Sequence, residues 1–198
     1  MTTPRTVVVR PARAEEAADV AWLAATTFPL ACPPGTPVEE MARHVASRLT
    51  PGHFRTWAAS PDHVLLVAAR GDTLLGYALL VLAVPGGDEA RVLRDAAAST
   101  GPVVELSKIY AHPEALGTGA SSALMVGAVE AATRLAATHG LGTPPPLWLG
   151  TNAGNARAQA FYRKHGFVVV GTRTFDVGGK RHDDVVMLHR PAGAAQAT

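Results

Sequence analysis

The sequence has a single cysteine, Cys32, and no clustered block of lysine and arginine. One cysteine excludes an intramolecular disulfide and a cysteine-rich zinc site, and it fits a reducing compartment. Basic residues number 18 and acidic residues 16, which leaves a formal net charge of +2. Duplex DNA binding requires a clustered basic face that neutralises phosphates, so this charge pattern argues against a nucleic-acid partner.

The sequence also lacks a long apolar run and a set of histidines with metal-ligand spacing. Its first residues, MTTPRTVVVRPAR, contain no apolar signal core, and no later stretch is long enough to span a membrane. Two of the eight histidines, His182 and His189, are seven residues apart on one predicted strand, which is not a ligand pair. We therefore expect a cytoplasmic protein with no membrane partner and no metal.

What the sequence does contain is apolar material for a core. Hydrophobic residues make up 47% of the 198 residues and charged residues 17%, which excludes a disordered chain. This length is typical of one domain that buries enough surface to fold without a metal or a disulfide. We predict a single domain over residues 1–190 and a flexible tail of small residues over residues 191–198.

Hydrophobic periodicity and the positions of proline and glycine predict alternating strands and helices. The predicted strands are Val7–Arg10, His63–Arg70, Thr73–Val84, Val103–Ala111, Leu147–Gly150, Phe167–Asp176 and Arg181–His189. The predicted helices are Ala14–Thr27 (ended by Pro29), Val38–Leu49, Pro51–Ser60, Ser121–His139 and Asn155–His165, with Pro85–Gly101 irregular or partly helical. Turns at Gly71-Asp72 and Gly178-Gly179 predict two hairpins. The order predicts an α/β (α+β) fold with one mixed, mostly antiparallel sheet of about six or seven strands and helices on both faces.

One predicted strand–turn–helix segment, Glu105–Ser122, carries glycines near the start of its helix. Gly117 and Gly119 allow the backbone to pass close to a ligand, because no Cβ intervenes. The first N–H groups of the helix point outward and carry the positive end of the helix dipole, as at a pyrophosphate site. The simpler interpretation is a tight strand–helix turn, and a short glycine pattern alone does not separate the two.

A second segment, Leu147–Phe167, combines a short strand, an asparagine-rich turn and a helix. Its pattern N-x-x-A-x-x-F-Y-x-x-x-G-F consists of Asn155, Ala158, Phe161, Tyr162, Gly166 and Phe167. With these residues and Ile109–Met125, the chain resembles the GCN5-related N-acetyltransferase (GNAT) superfamily, and it looks most like the bacterial polyamine and small-amine acetyltransferases. The element order agrees over roughly residues 6–190.

The resemblance implies that acetyl-CoA is the co-substrate. The pantetheine arm would pair with the strand backbone at Ile109, Tyr110 and Ala111, where this strand splays from Leu147–Gly150 in the family. The pyrophosphate would bind Leu116, Gly117, Thr118, Gly119, Ala120, Ser121 and Ser122. Because the family loop usually begins with Gln or Arg and ends with a smaller residue, Leu116 and Ser121 put the affinity in doubt.

The same resemblance implies roles for residues of the second segment. Asn155 would hydrogen-bond the pantetheine arm, and it is also a good helix N-cap, so that the two roles can coexist. Arg163 and Lys164 either approach the nucleotide 3′-phosphate or lie on a solvated helix face. Tyr162 would be the general acid that protonates the departing thiolate. The simpler interpretation of Tyr162 is an aromatic side chain that packs beside Phe161.

The general base and the acceptor are less defined. Glu105 is the candidate base, with Tyr110 and His112 as other candidates; its simpler interpretation is a surface acid at a strand end. The resemblance implies that Phe28–Ser60 walls the acceptor cleft, where Glu39 and Glu40 suit an amine or merely match a helix dipole. Polyamine, aminoglycoside, amino-acid and protein amines all remain open.

Two further expectations concern the function as a whole. The predicted reaction is direct acetyl transfer from acetyl-CoA to a primary amine of a small molecule or a peptide. The alternative is a non-catalytic module that binds or senses acyl-CoA, which the altered Leu116 and Ser121 favour. By analogy with the fold, a homodimer through Phe167–His189 is possible.

Overall fold

A computed structural model describes residues 6–141, 145–177 and 180–190 of the protein. The strands are β1 (Val8–Pro11), β2 (His63–Arg70), β3 (Thr73–Ala83), β4 (Val103–Ala111), β5 (Leu147–Asn152), β6 (Phe167–Val177) and β7 (Lys180–His189). The helices are α1 (Ala17–Ala31), α2 (Val38–Arg48), α3 (Pro51–Ala59), α4 (Gly87–Ala97), α5 (Ala120–Thr138) and α6 (Ala156–Lys164). Short 3-10 turns cover Ala14–Glu16 and Pro113–Ala115.

The seven strands form one sheet in the order β1-β2-β3-β4-β5-β7-β6. The pairs β1–β2, β2–β3, β5–β7 and β6–β7 are antiparallel, whereas β4 and β5 are parallel. The parallel ladder joins Val104 to Leu147 and Glu105 to Trp148. The prediction of a mixed, mostly antiparallel sheet is confirmed, and the bounds of β4 are those predicted.

The chain divides into two compact units with separate cores. The first unit comprises Met1–Val81 and Leu106–Leu135, and the second comprises Leu82–Glu105 and Ala136–Thr198. Each unit is built from two separate segments of the chain. The single domain over residues 1–190 stays a prediction. The predicted turn at Gly178-Gly179 and the predicted tail over residues 191–198 lie outside the described residues.

In the first unit, helices lie on both faces of the sheet, as predicted. Alternate residues of a strand point to opposite faces. Leu65 and Val67 of β2 pack with the buried residues of α1 and with Phe54 of α3. On the opposite face, a Cβ added at Gly127 of α5 would lie 2.8 Å from a Val9 side-chain carbon and 3.8 Å from one of Leu66. This glycine lets α5 approach β1 closely.

The second unit has a smaller core of Leu93, Val103, Trp148, Val186 and Leu188. Helix α4 supplies Leu93 and packs on β6, where a Cβ added at Gly171 would lie 2.7 Å from a methyl carbon of Val92. The sequence predicted this segment only as irregular or partly helical, because Pro85, Gly86 and Gly87 at its start are loop signals, whereas Gly87–Ala97 forms a helix.

The prediction that Pro29 ends the first helix is wrong, since α1 continues to Ala31. Proline lacks the N–H that would bond to the previous turn, and this loss costs less near a helix end than in its middle. The deeply buried Val20, Leu23 and Ala24 hold the preceding part of α1 against the core. Leu30 and Ala31 are exposed, so the helix extends past Pro29 by two residues that do not pack in the core.

A buried carboxylate connects β1 to the start of α1. Glu16 is 5% exposed and accepts two hydrogen bonds from the Arg10 guanidinium, at 2.6 and 2.8 Å. The backbone and side chain of Arg13 donate two more, at 2.8 and 2.9 Å. The Arg10 hydrogen bonds and then the Arg13 backbone N–H lower the pKa of Glu16 to about 2, although burial alone would raise it.

Replacing Glu16 with Gln is expected to reduce the free energy of unfolding at pH 7 by about 2 kcal/mol, because a buried ion pair is broken. In the wild type, the ionised carboxylate stabilises the fold fully above its unfolded pKa near 4.5, and this stabilisation is lost as pH falls towards the folded value of about 2. Urea unfolding across this pH range should show the acid-dependent loss in the wild type and not in Glu16→Gln. The exposed Glu15 is the matched control, and Glu15→Gln should change stability by less than about 0.5 kcal/mol.

Candidate active site

The turn before α5 places both of its glycines in a left-handed backbone conformation. Gly117 has φ +78° and Gly119 has φ +85°, a left-handed region that disfavours a side chain. A Cβ added at either position would meet no atom within 4 Å, so both glycines border open space. Ala120 is fully buried, and the Ala123 N–H donates to the Gly119 carbonyl at 2.9 Å. The first N–H groups of the helix, at its positive end, thus follow a turn that borders open space.

The residues around this turn differ in exposure. Leu116 is 50% exposed, Thr118 donates from its hydroxyl to the Ala115 carbonyl at 2.6 Å, and Ser121 and Ser122 are half-buried. Leu116, which the sequence analysis aligned with the Gln or Arg of the family loop, is apolar, and its side chain offers no hydrogen bond to a phosphate. Potential phosphate ligands at this turn are therefore the backbone N–H groups and the hydroxyls of Ser121 and Ser122.

Strand β4 lies very close to β3 at the residues predicted to pair with pantetheine. A Cβ added at Gly76 would lie 2.6 Å from the Tyr110 carbonyl oxygen and 3.2 Å from the Ala111 Cα. The His112 N–H donates to the Leu75 carbonyl at 2.8 Å. Because backbone atoms leave no room at Gly76, this glycine fixes the position of the segment Ile109–Ala111.

The structure disfavours two of the candidate bases. Burial raises the pKa of Tyr110 to about 12, so its hydroxyl stays protonated near neutral pH. The Nδ1 of His112 accepts the Glu114 N–H at 3.3 Å and caps the turn Pro113–Ala115, which agrees with its simpler interpretation as a turn residue. The His112 ring also stacks on Trp22, with centroids 6.0 Å apart. Glu105 remains the candidate base on β4.

Glu105 is the third residue of β4, as the predicted bounds of the strand imply. It is half-buried and pairs in register with Trp148 of β5, at the last pair of the parallel ladder. Its partial exposure near the start of the strand leaves both interpretations open, a base and a surface acid. The strand position agrees with a base that acts on the acceptor, and its role stays a prediction.

The second unit holds the asparagine and the tyrosine of the second motif. The Asn155 side chain accepts the Ala158 N–H at 3.0 Å, which confirms that it caps α6. Tyr162 is half-buried, with its ring centroid 5.7 Å from that of Phe161 and 6.1 Å from that of Phe167. Its packing against Phe161 is therefore present, as the simpler interpretation predicted.

One polar residue that organises this motif escaped the sequence analysis. Gln159 is 7% exposed, and its Nε2 donates to the carbonyls of Ala153 and Asn152 at 2.9 and 3.4 Å. Its Oε1 accepts a hydrogen bond from exposed Arg163 at 3.0 Å. Gln159 thus ties the turn after β5 to α6. The available signal was its position one helical turn after Asn155, on the same face of the predicted helix.

An aromatic cluster occupies the region that was predicted to wall the acceptor. It consists of Phe28, His44, Trp57, Lys108 and Tyr110, which are all half-buried. The rings of Phe28 and His44 stack with centroids 4.3 Å apart, and the Lys108 Nζ lies 5.3 Å from the centroid of the Trp57 ring. Glu39 is exposed on the first turn of α2. The region that was predicted to wall the acceptor therefore carries aromatic rings and a cation.

The sequence-predicted residues are distributed over both units. Ile109–Ala111 and Leu116–Ser122 belong to the first unit, whereas Glu105, Asn155 and Tyr162 belong to the second. Among the described residues, no group of three or more His, Cys, Asp and Glu side chains is arranged to hold a metal ion. Within the same residues, no helix has the length and apolar character needed to cross a membrane.

These features are a mixed sheet with helices on both faces and a glycine turn before α5, and comparison with known proteins identifies the class. Residues 23–167 match the model of the Acetyltransferase (GNAT) family. The chain therefore belongs to the GNAT family of acetyltransferases. The predicted superfamily and the predicted enzyme class are confirmed.

Individual relatives and solved structures agree with this assignment. An uncharacterised N-acetyltransferase of Mycobacterium tuberculosis is 38% identical over 173 residues, which cover 87% of this chain and 96% of the relative. The PaiA N-acetyltransferase of Thermoplasma acidophilum, solved in complex with coenzyme A, has a TM-score of 0.67 at 16% identity and covers 93% of this chain and 99% of its own. Arabidopsis thaliana NAA60 in complex with acetyl-CoA has a TM-score of 0.67 at 15% identity, and the match covers 93% of this chain and 98% of NAA60. These relatives do not support the polyamine and small-amine branch in particular.

Proposed function

We propose that the protein transfers the acetyl group of acetyl-CoA to a primary amine of a small molecule or a peptide. The observation that carries this proposal is the turn before α5, where two left-handed glycines border open space at the positive end of a 19-residue helix. This arrangement fits a pyrophosphate. Solved structures with the same fold contain coenzyme A or acetyl-CoA.

The proposed acetyl-CoA contacts follow from the backbone. The N–H groups of Gly119–Ser122 donate to the pyrophosphate, while the strand backbone at Ile109–Ala111 pairs with the pantetheine arm. Gly76 supports this pairing because it lets β3 hold β4 in place. Main-chain N–H groups donate to the pyrophosphate regardless of the side chain at position 116. An apolar Leu116 in place of the polar residue of the family loop therefore lowers the affinity for acetyl-CoA without abolishing binding.

The proposed chemistry needs three proton movements. Glu105, directly or through a water molecule, removes a proton from the acceptor ammonium, and the free amine attacks the thioester carbonyl carbon. A C–N bond forms and the C–S bond breaks. The Tyr162 hydroxyl donates its proton to the departing thiolate, which leaves as coenzyme A with a free thiol. The attacking nitrogen releases its second proton, through water, to the Tyr162 phenolate, which restores the hydroxyl, and Glu105 releases its proton to solvent. The products are the acetylated amine and coenzyme A.

Substitutions of Asn155 test whether this residue contacts acetyl-CoA in addition to capping α6. Replacing Asn155 with Ala removes the hydrogen bond to the Ala158 N–H and should cost about 1 kcal/mol of stability. Asn155→Asp keeps a capping oxygen and removes the amide donor, so stability should stay within about 0.5 kcal/mol of wild type. If the amide contacts pantetheine, both variants should raise the KM for acetyl-CoA about threefold to tenfold. An unchanged KM in Asn155→Asp would show that the residue is a cap alone.

A non-catalytic acyl-CoA-binding module is the second candidate. The observation that favours it is Leu116, an exposed apolar side chain where the family usually has a polar one. Both candidates predict that acetyl-CoA raises the melting temperature, by mass action. They differ in whether coenzyme A with a free thiol accumulates when acetyl-CoA and an amine panel are supplied together. The panel should include polyamines, aminoglycosides, amino acids and peptides.

A further inference from the structure

The aromatic cluster of the first unit combines apolar rings with the positive charge of Lys108, and this combination favours some classes of acceptor amine over others. We propose that the acceptor is an amine that also carries an apolar or aromatic group and an anionic group such as a carboxylate. The rings of the cluster contact the apolar group, and Lys108 attracts the anionic group. This inference rests on the proposed acetyl transfer and specifies the acceptor of that reaction.

The first support is the position of the cluster on β4. Tyr110 packs with the core residues that α1 and α3 supply. Lys108, two residues earlier, lies on the same face of the strand. The backbone of Ile109, between them, is proposed to pair with pantetheine. Within the first unit, the cluster and the proposed co-substrate backbone therefore share one strand segment.

The second support is the chemistry of the rings. Phe28 and His44 are nearly parallel, with an interplanar angle of 12°. Trp57 is held edge-on against the buried Phe54, with centroids 5.1 Å apart, and also lies under the Lys108 ammonium. Because the side chains of the cluster are half-buried, its aromatic surface is both preformed and reachable from solvent. Such a surface favours an acceptor with an apolar group.

The third support is the positive charge of the groups that act on His44. Burial, followed by the positive charges of Lys108 and Arg48, lowers the pKa of His44. Glu40 precedes His44 by one helical turn, but the charged groups that shift the His44 pKa are both cations. An environment of this sign attracts a carboxylate and repels an acceptor with several positive charges. The charge pattern thus argues against a polyamine.

The test compares matched amines with the purified full-length protein and acetyl-CoA. L-phenylalanine and 2-phenylethylamine share a ring and an amine, and L-leucine and isoamylamine share a branched chain and an amine. Only the amino acids carry a carboxylate, and spermidine represents the polyamines. We expect kcat/KM for each amino acid to exceed that for its decarboxylated partner by about tenfold or more, with spermidine the poorest acceptor.

Variants of Lys108 test whether its charge causes the preference for acceptors that carry a carboxylate. Lys108→Met keeps the aliphatic stem and removes the charge, so the ratio of kcat/KM within each pair should fall to about one. Lys108→Arg should retain the preference. Arg55→Met is the matched control, because Arg55 is an exposed cation on the same helix as Trp57, and it should leave the ratio unchanged.

The outcomes separate this inference from the proposed function. Acetylation of spermidine or of the decarboxylated amines in preference to the amino acids would overturn the inference and leave acetyl transfer intact. The inference would also be overturned if Lys108→Met did not change the ratio of kcat/KM between an amino acid and its decarboxylated partner. If acetyl-CoA gives no thermal shift, or if no amine class releases coenzyme A, the proposed function itself fails.

Discussion

Replacing Tyr162 with Phe is expected to lower kcat by a factor on the order of 100 to 1,000, the usual contribution of a positioned general acid. Affinity for acetyl-CoA should stay within about twofold of wild type, because the proposed phosphate and pantetheine contacts involve other residues. The substitution removes one oxygen atom and keeps the ring that lies against Phe161 and Phe167. The loss should therefore be chemical rather than structural. Steady-state release of the coenzyme A thiol, with calorimetric binding of acetyl-CoA, measures both quantities.

A matched control for this prediction is Tyr77→Phe, which makes the same chemical change elsewhere. Tyr77 is fully buried, and its hydroxyl has no hydrogen-bond partner among the residues that the structure describes. Removing a buried, unpartnered hydroxyl should leave stability equal or slightly higher and turnover unchanged. If Tyr162→Phe turns over like the wild type, Tyr162 is not the general acid. Its ring packing against Phe161 would then be its main role.

Replacing Gly119 with Ala is expected to weaken acetyl-CoA binding on the order of 100-fold, which corresponds to about 2.7 kcal/mol. The new Cβ would occupy the open space that the proposed pyrophosphate fills. It would also strain the left-handed backbone and displace the N–H donors that begin α5. Charge-assisted hydrogen bonds of this kind contribute about 1.5–3 kcal/mol each. Isothermal titration calorimetry with acetyl-CoA measures the change in dissociation constant.

The other end of the same helix provides the control. Gly140 follows α5 with φ +68°, and a Cβ added there would also meet no atom within 4 Å. Gly140→Ala therefore carries a comparable backbone strain of about 1–2 kcal/mol without reaching the proposed phosphate site. We expect the two variants to lose similar stability and only Gly119→Ala to lose affinity. Equal affinities in both variants would place the pyrophosphate elsewhere.

Local signals in the sequence predicted the backbone of the candidate site well. The β-branched and apolar run of Val103–Ala111 gave a strand with the predicted bounds, and Asn155 caps the helix as its side chain favours. Gly117 and Gly119 adopt the left-handed conformation that their residue type permits. Each of these signals is encoded within a few neighbouring residues, which is why one sequence suffices to detect it.

Features that depend on distant residues were not predicted. Gln159 became recognisable as an organising residue only once its carbonyl partners were located. In the same way, the Lys108–Trp57 contact joins residues 51 positions apart in sequence, and no periodicity marks such a pair.

The central claim, acetyl transfer from acetyl-CoA to an amine, is tested most directly by product stoichiometry. Purified protein is incubated with acetyl-CoA and the amine panel, and free thiol and acetylated amine are quantified together by absorbance and mass spectrometry. We predict that at least one primary amine is acetylated and that one coenzyme A thiol is released for each acetyl group transferred. Saturable binding of acetyl-CoA without thiol release on any amine class would contradict the account and favour the non-catalytic module.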